Sequence, residues 1–230
     1  MAYFPFFIDL EGQKVVVAGG GRVALRKVAA LVEYGADVTV AAENCCEEFK
    51  EYLDEGKIQL VKMIFNYDSA AAGTEKEDRH RQSLYKQLSA CMSGAKAAVL
   101  AMDNAGLNHA AAGWCRENGI PVNTVDQIED CDFLFPALVH HGEVTVGITT
   151  GGKSPLLAAR IRKEIEKGFP EFIGETADWM GWVRQFVKPL KETEEKKKEI
   201  YGKMLEWLLE READVGKEEV EKHLWEVIHA

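Results

Sequence analysis

The chain has 230 residues, 47% hydrophobic and 29% charged, and a net charge of −10. That length allows one large or two small domains of ordinary globular composition, and the acidic balance argues against a nucleic-acid or anionic-membrane surface. No apolar run approaches a membrane span, and five cysteines without a C-x-x-C pair suggest neither a disulfide framework nor a structural zinc site, so free thiols in the cytoplasm are expected.

In chain order, Tyr3–Leu10 is aromatic and apolar. It lacks the basic start of a signal peptide and runs into Asp9 and Glu11, so it reads as a segment lying across a sheet. Val15-Val16-Val17-Ala18 suits a buried strand. It passes directly into Gly19, Gly20 and Gly21, and a helical pattern runs from about Arg22 to Tyr34-Gly35. Gly19, Gly21 and Ala24 fit the G-x-G-x-x-G/A spacing that seats a pyrophosphate on a helix N-terminus. The first glycine serves the tight turn, the second admits phosphates to bare N–H groups, and the small third residue lets helix and strand pack closely. The alternative is an ordinary glycine-rich turn. Asp37–Val40 is a second strand, completing a βαβ unit. Glu43, beside Asn44, stands just after it, where an acid commonly holds the adenosine ribose. No Arg or Lys is there for a 2′-phosphate, which favours NAD over NADP. Glu43 reads equally as a solvated loop charge or as part of the next helix's first turn.

Glu47–Glu55 predicts a short amphipathic helix and Ile58–Phe65 a third strand. Residues 66–95 read as an insertion, partly helical and solvated, with charge dense over Thr74–Arg81 and one stripe of Leu84, Leu88 and Met92. Lys96–Met102 is a fourth strand of small apolar residues, with Asp103-Asn104 at its carboxyl end, where open α/β sheets bind ligands. Leu107–Asn118 predicts a helix and Pro121–Val125 a fifth strand. Asp126 at its end either faces the same crevice or caps the turn Gln127–Asp130. The alternation predicts an α/β fold, a Rossmann-like doubly wound parallel sheet over residues 1–130.

After a polar turn at His140-His141, Val144–Thr149 alternates like a strand. Thr150-Gly151-Gly152-Lys153-Ser154-Pro155 then opens a helix, with Ser154 suited to the N-cap and Pro155 to the first helical position. No acid occurs from Val144 to Lys163, whereas Lys153, Arg160, Arg162 and Lys163 are basic. That is a candidate anion site, or a solvated helix face behind a well-capped turn. From Glu171 to Ala230 three helices, broken near Pro189 and Asp214–Gly216, form a helical C-terminal region. Their Trp179, Trp182, Trp207 and Trp225 suit helix packing or a partner surface.

Four stretches in this order carry a resemblance: Val17-Ala-Gly-Gly-Gly-Arg-Val-Ala-Leu-Arg-Lys27, Val122-Asn-Thr-Val-Asp126, Cys131-Asp-Phe-Leu-Phe-Pro136 and Ile148-Thr-Thr-Gly-Gly-Lys-Ser-Pro155. The set resembles the precorrin-2 dehydrogenases of sirohaem synthesis, either stand-alone or as the N-terminal part of the multifunctional synthase, over about Tyr3 to Phe172. The resemblance implies NAD-dependent oxidation of precorrin-2, a tetrapyrrole, to sirohydrochlorin, with ferrous iron inserted by some members. It implies a homodimer joined largely through residues 131–165, followed here by a helical domain over 166–230. It makes Asp126 the catalytic residue. Gly19, Gly20, Gly21, Arg22, Val23, Ala24, Glu43, Asn44 and Asp103 are then cofactor-binding residues, and Thr150 lines the site. Gly151, Lys153, Ser154, Arg160 and Arg162 suit a carboxylate-rich substrate through charge-assisted hydrogen bonds. Arg22 and Lys27 are expected to face that polyanion, and no protein-held metal is expected.

Met102 stands where the resembled enzymes carry a hydroxyl residue, Glu43 replaces a common proline, and the 66–95 stretch has no counterpart. No methyltransferase part follows the helical tail, so precorrin-2 would come from a separate enzyme. Two rival functions remain: a dinucleotide oxidoreductase acting on another anionic substrate, and a non-catalytic NAD-sensing module whose tail signals to a partner.

Overall fold

Val15, Val16, Val17 and Ala18 are at most 1% exposed, so both faces of the first strand are covered, as expected inside a parallel sheet. The computed structural model describes residues 3–65 and 75–230. Among them, β1 (Lys14–Ala18), β2 (Asp37–Ala42), β3 (Ile58–Lys62), β4 (Ala97–Leu100) and β5 (Val122–Thr124) form one sheet in the order β3-β2-β1-β4-β5. Every pairing is parallel, with Val16 between Thr39 and Ala98. The order reverses between β1 and β4, which opens a crevice at the carboxyl ends of those two strands.

Alternation along β1 splits the core in two. Val15 and Val17 join Val28 and Leu31 of α1 (Arg22–Glu33) and Phe49 of α2 (Phe49–Asp54) on one face. Val16 and Ala18 join Leu107, Ala111 and Cys115 of α4 (Ala105–Glu117) on the other. Each fully buried Val or Leu contributes roughly 1.5–3 kcal/mol relative to exposure.

The stretch expected to be a solvated insertion needs correction. Glu75–Met92 is a helix, α3, and its Leu84, Leu88 and Met92 are 0% exposed in the same core as α4. Spacing of four residues puts these side chains on one face, so α3 is the crossover between β3 and β4 rather than an addition to the sheet. Residues 66–74 lie outside the described residues.

The chain divides into two compact units, one of Phe4–Phe135 and one of Pro136–Ala230 with Tyr3. The division falls after Phe135 rather than at residue 130, because residues 130–133 are bonded back onto β5. The second unit holds the antiparallel hairpin β6 (Ala137–His141) and β7 (Val144–Ile148), then α5 (Pro155–Gly168), α6 (Ile173–Val187), α7 (Glu194–Glu210) and α8 (Lys217–His229). It does not separate the segment ending at 165 from the helical tail. His140 and His141 are strand residues paired with Thr145 and Val144, not a turn. Val183, Val187, Ile200, Met204, Leu208, Val220, Leu224 and Val227 fill the core between α6, α7 and α8. No helix among the described residues is long and apolar enough to cross a membrane.

Candidate functional site

Because all five strands run the same way, the residues after β1, β2, β4 and β5 emerge at one edge of the sheet. Gly19, Glu43, Asp103 and Asp126 are those residues.

The three glycines do different work. Gly19 has φ +124°, and a Cβ there would run into the Ala101 carbonyl after β4. Gly20 has backbone against it too: a Cβ would strike the Asn44 carbonyl, and the Gly20 carbonyl accepts from the Cys46 N–H at 2.8 Å. Gly21 has nothing within 4 Å of a notional Cβ and ordinary extended geometry, φ −83° and ψ 177°. It is the N-cap of α1, brings no capping side chain, and no acid lies in the first turn. The first N–H groups of α1 therefore carry the helix's positive end into open space, an arrangement suited to a phosphate. Ala24 is fully buried against the sheet.

Asn44 is thus packed on the glycine turn, while Glu43 is exposed in the loop and outside α2, leaving a ribose contact or a solvated charge. Arg22 is 85% exposed in its side chain and lies 3.7 Å from Glu48. It borders a groove of about 600 Å³ lined also by Cys46, Glu47, Glu48 and Glu51. Val23 is half-buried beside it. Lys27 does not stand in solvent. Its ammonium sits 4.1 Å over the Phe135 ring, and burial, then repulsion from Arg26, pushes its pKa down, with Cys131 acting in the opposite sense. The stretch ending at Lys27 is thereby brought against Phe135 within one unit.

Asp126 is exposed at φ +60°, a conformation uncommon outside glycine and concentrated at functional positions. It is not the cap of the following 3-10 turn (Ile128–Asp130): Gln127 holds that position, without a side-chain cap. The sequence around it explains how the turn is built. Asn123 donates to the Phe133 carbonyl at 2.9 Å, and the Cys131 thiol is hydrogen-bonded to the Thr124 N–H and carbonyl, both at 3.2 Å. The Asp132 carboxylate accepts from the Val122 N–H at 3.0 Å and from Arg116 at 3.2 Å. The Cys131-Asp-Phe stretch thus returns along β5 and fixes the loop at whose tip Asp126 sits.

Several residues that position this edge carry little sequence signal of their own. Buried Asn108 accepts from the Met102 N–H at 3.2 Å and donates to its carbonyl at 3.0 Å, completing the strand end beside exposed Asp103. Asp130, His109 and Arg116 form a second cluster behind Asp126. A polar residue on the inner face of the small-residue helix Ala105–Glu117 was the available hint for Asn108. Burial raises the pKa of all five thiols, Cys115 up to about 12, so none resembles an activated nucleophile. Among the described residues, no group of three His, Cys, Asp or Glu could hold a metal ion.

The expected substrate residues all lie in the second unit. The Thr150 hydroxyl donates to the Ser154 carbonyl and accepts from the Ser154 N–H, both at 3.1 Å, while Ser154 caps α5 through the Leu157 N–H at 3.2 Å. Both hydroxyls therefore build the turn. Gly151, at φ +63°, supplies its left-handed step, and Lys153 is exposed. Arg160 and Arg162 are answered on their own helix by Glu164 at 3.8 Å and Glu166 at 3.0 Å. The acid-free run ends just where these partners begin, so the local positive charge is smaller than the count of bases suggests.

A reversing parallel sheet, an uncapped glycine turn and acids at the same edge define a nucleotide-binding protein of the open α/β class. The chain belongs to the family described as "Putative NAD(P)-binding", which matches residues 6–137, and residues 142–168 match the family described as "Sirohaem biosynthesis protein central". Over 188 residues, 82% of this chain, it is 34% identical to the siroheme synthase of Methylococcus capsulatus and 33% identical to that of Psychrobacter cryohalolentis. It spans only 35% and 32% of those relatives. A solved structure titled SirC, precorrin-2 dehydrogenase, shares the fold with a TM-score of 0.63 and 19% identity, covering 99% of this chain and 100% of that one.

Proposed function

We propose that this protein is an NAD-dependent precorrin-2 dehydrogenase, acting as a cytoplasmic homodimer. The observation that carries the reading is the placement, at one sheet edge, of an uncapped glycine turn and an exposed aspartate held at φ +60°. The cofactor supplies a hydride acceptor. Gly21 and the first turn of α1, with Arg22 and Val23, hold its phosphates, and Asn44 and Glu43 meet the adenosine end. Asp103, after β4, stands at the same sheet edge as Gly19. Asp126 takes the proton released as precorrin-2 gives up its hydride and becomes sirohydrochlorin.

Lys153 and the rims of Arg160 and Arg162 supply positive charge for the tetrapyrrole's carboxylates, with the Thr150–Ser154 turn as their platform. Leu156 of α5, 84% exposed, belongs to the apolar surface that pairing of two copies would cover.

The test is optical. Purified protein with precorrin-2 and NAD forms NADH and sirohydrochlorin together, and omission of either substrate abolishes both signals. NAD binding without turnover would favour the sensing module instead. Addition of ferrous iron to the same cuvette tests metal insertion: sirohydrochlorin persisting unchanged would rule that second activity out.

A further inference from the structure

Asp130 is 2% exposed, yet it carries a carboxylate. A buried carboxylate is costly unless its lone pairs are met, and here three side chains meet them. Nδ1 of His109 lies 2.7 Å from Oδ2, Nη1 of Arg116 donates to Oδ1 at 3.4 Å, and Nε2 of Gln127 donates to Oδ2 at 3.5 Å. His109 and Arg116 are two turns apart on one face of α4, so a single helix face grips the carboxylate. Arg116 reaches further, to the Glu129 carbonyl at 3.3 Å and the Asp132 carboxylate at 3.2 Å. Gln127 also donates to the Ala105 carbonyl at 3.2 Å, at the first residue of α4.

The same residue closes the loop through its backbone. The Thr124 hydroxyl donates to the Asp130 carbonyl at 3.2 Å, and the Asp130 N–H donates to the Gln127 carbonyl at 3.0 Å. Asp126 is therefore the tip of a loop whose two feet, Thr124 and Asp130, are tied together, and whose second foot is bolted to α4. A non-glycine residue at φ +60° holds that backbone only when its surroundings over-determine it. The cluster is the over-determination.

We propose that Asp130 is a positioning residue that, gripped by His109 and Arg116, locks the Asp126 turn in the geometry its chemistry requires. The inference rests on the dehydrogenase reading for its effect on rate, but not for its effect on the loop. A neutral imidazole with its proton on Nδ1 also donates to the carboxylate, so the lock needs a donor at 109 rather than a charge.

The test compares Asp130→Asn, His109→Ala and His109→Gln with the wild type, measuring NADH formation, NAD affinity and amide hydrogen exchange. Asn at 130 keeps one acceptor oxygen but turns the other into an amide NH2, which faces donors that need an acceptor. We expect its kcat to fall by roughly tenfold to a hundredfold, with NAD affinity unchanged because the glycine turn lies on other elements, and with faster exchange over 125–130. His109→Ala, at an exposed side chain that leaves the fold intact, gives a smaller loss in the same direction. His109→Gln, which retains a donor, recovers both rate and protection. The proposal is overturned if exchange over 125–130 is unchanged in Asp130→Asn and His109→Ala, or if their kcat matches the wild type. A wild type that binds NAD but never oxidises precorrin-2 sinks the dehydrogenase reading alone, and the exchange measurement still judges the lock.

Discussion

Gly21→Ala separates cofactor binding from folding at the glycine turn. A methyl at Gly21 meets no atom within 4 Å, and φ −83° with ψ 177° is open to any residue. In the folded protein the change is free of strain, and in the unfolded chain it removes freedom worth about 0.4–1 kcal/mol. Alanine is also a clearly poorer N-cap than glycine, which offsets that gain. Stability should therefore stay within about 1 kcal/mol of the wild type. The methyl occupies the space a phosphate would use to reach the N–H groups of α1. Losing one hydrogen bond to a charged group costs roughly 1.5–3 kcal/mol, or about tenfold to a hundredfold in Kd. Gly20→Ala behaves oppositely: its methyl collides with the Asn44 carbonyl and displaces the loop bonded through Cys46, so the protein is destabilised outright. Urea denaturation and calorimetric titration with NAD read the two quantities separately. Wild-type NAD affinity in Gly21→Ala, at unchanged stability, would refute the assignment of that open space to the cofactor.

Other substitutions test the remaining parts. Asp126→Asn, which tolerates the left-handed backbone, should retain stability and lose NADH formation, whereas Asp126→Ala should in addition lose about 1–2 kcal/mol of stability; normal turnover by the Asn variant removes Asp126 from the chemistry. Leu88→Ala should cost about 2–5 kcal/mol in urea unfolding because α3 is core, and a change under about 0.5 kcal/mol would make α3 the surface addition its charge suggests. The native state disfavours the Cys115 thiolate, so that contribution to stability is complete below the free-thiol value near 9.0 and drains away as pH rises towards about 12. In Cys115→Ala the fall in urea midpoint above pH 9 should be shallower than in the wild type, and an unchanged slope would assign the alkaline loss elsewhere.

The first unit was largely legible because its signals are local. A run of Val before three glycines, small apolar strands and a helix ending at Gly35 each declare themselves within a few residues. So did the tail, where Pro189 and the residues near Gly216 divide α6, α7 and α8. The stripe Leu84, Leu88 and Met92 of α3 is readable, but its burial is not, since the solvated side chains flanking it outnumber it. Asn108 and Asp130 are hard to read in the sequence for a different reason. They are polar groups inside the fold, and their value depends on partners that periodicity does not reveal. Arg160 and Arg162 carry less free charge than the acid-free run up to Lys163 suggests, because Glu164 and Glu166 follow one helical turn further on.

The return of residues 131–133 along β5 has a consequence for assembly. β5 lies at the end of the sheet, and an open end of that kind offers a ladder of unpaired N–H and carbonyl groups to any extended chain. Here the Val122 N–H is taken by the Asp132 carboxylate and the Val122 carbonyl by the Asp132 N–H at 2.8 Å. Asp132 acts as a stopper with a negative charge, filling the place a sixth strand would take. Growth of the sheet by strand addition is shut off at that side, so β5 is not the strand through which two copies would pair.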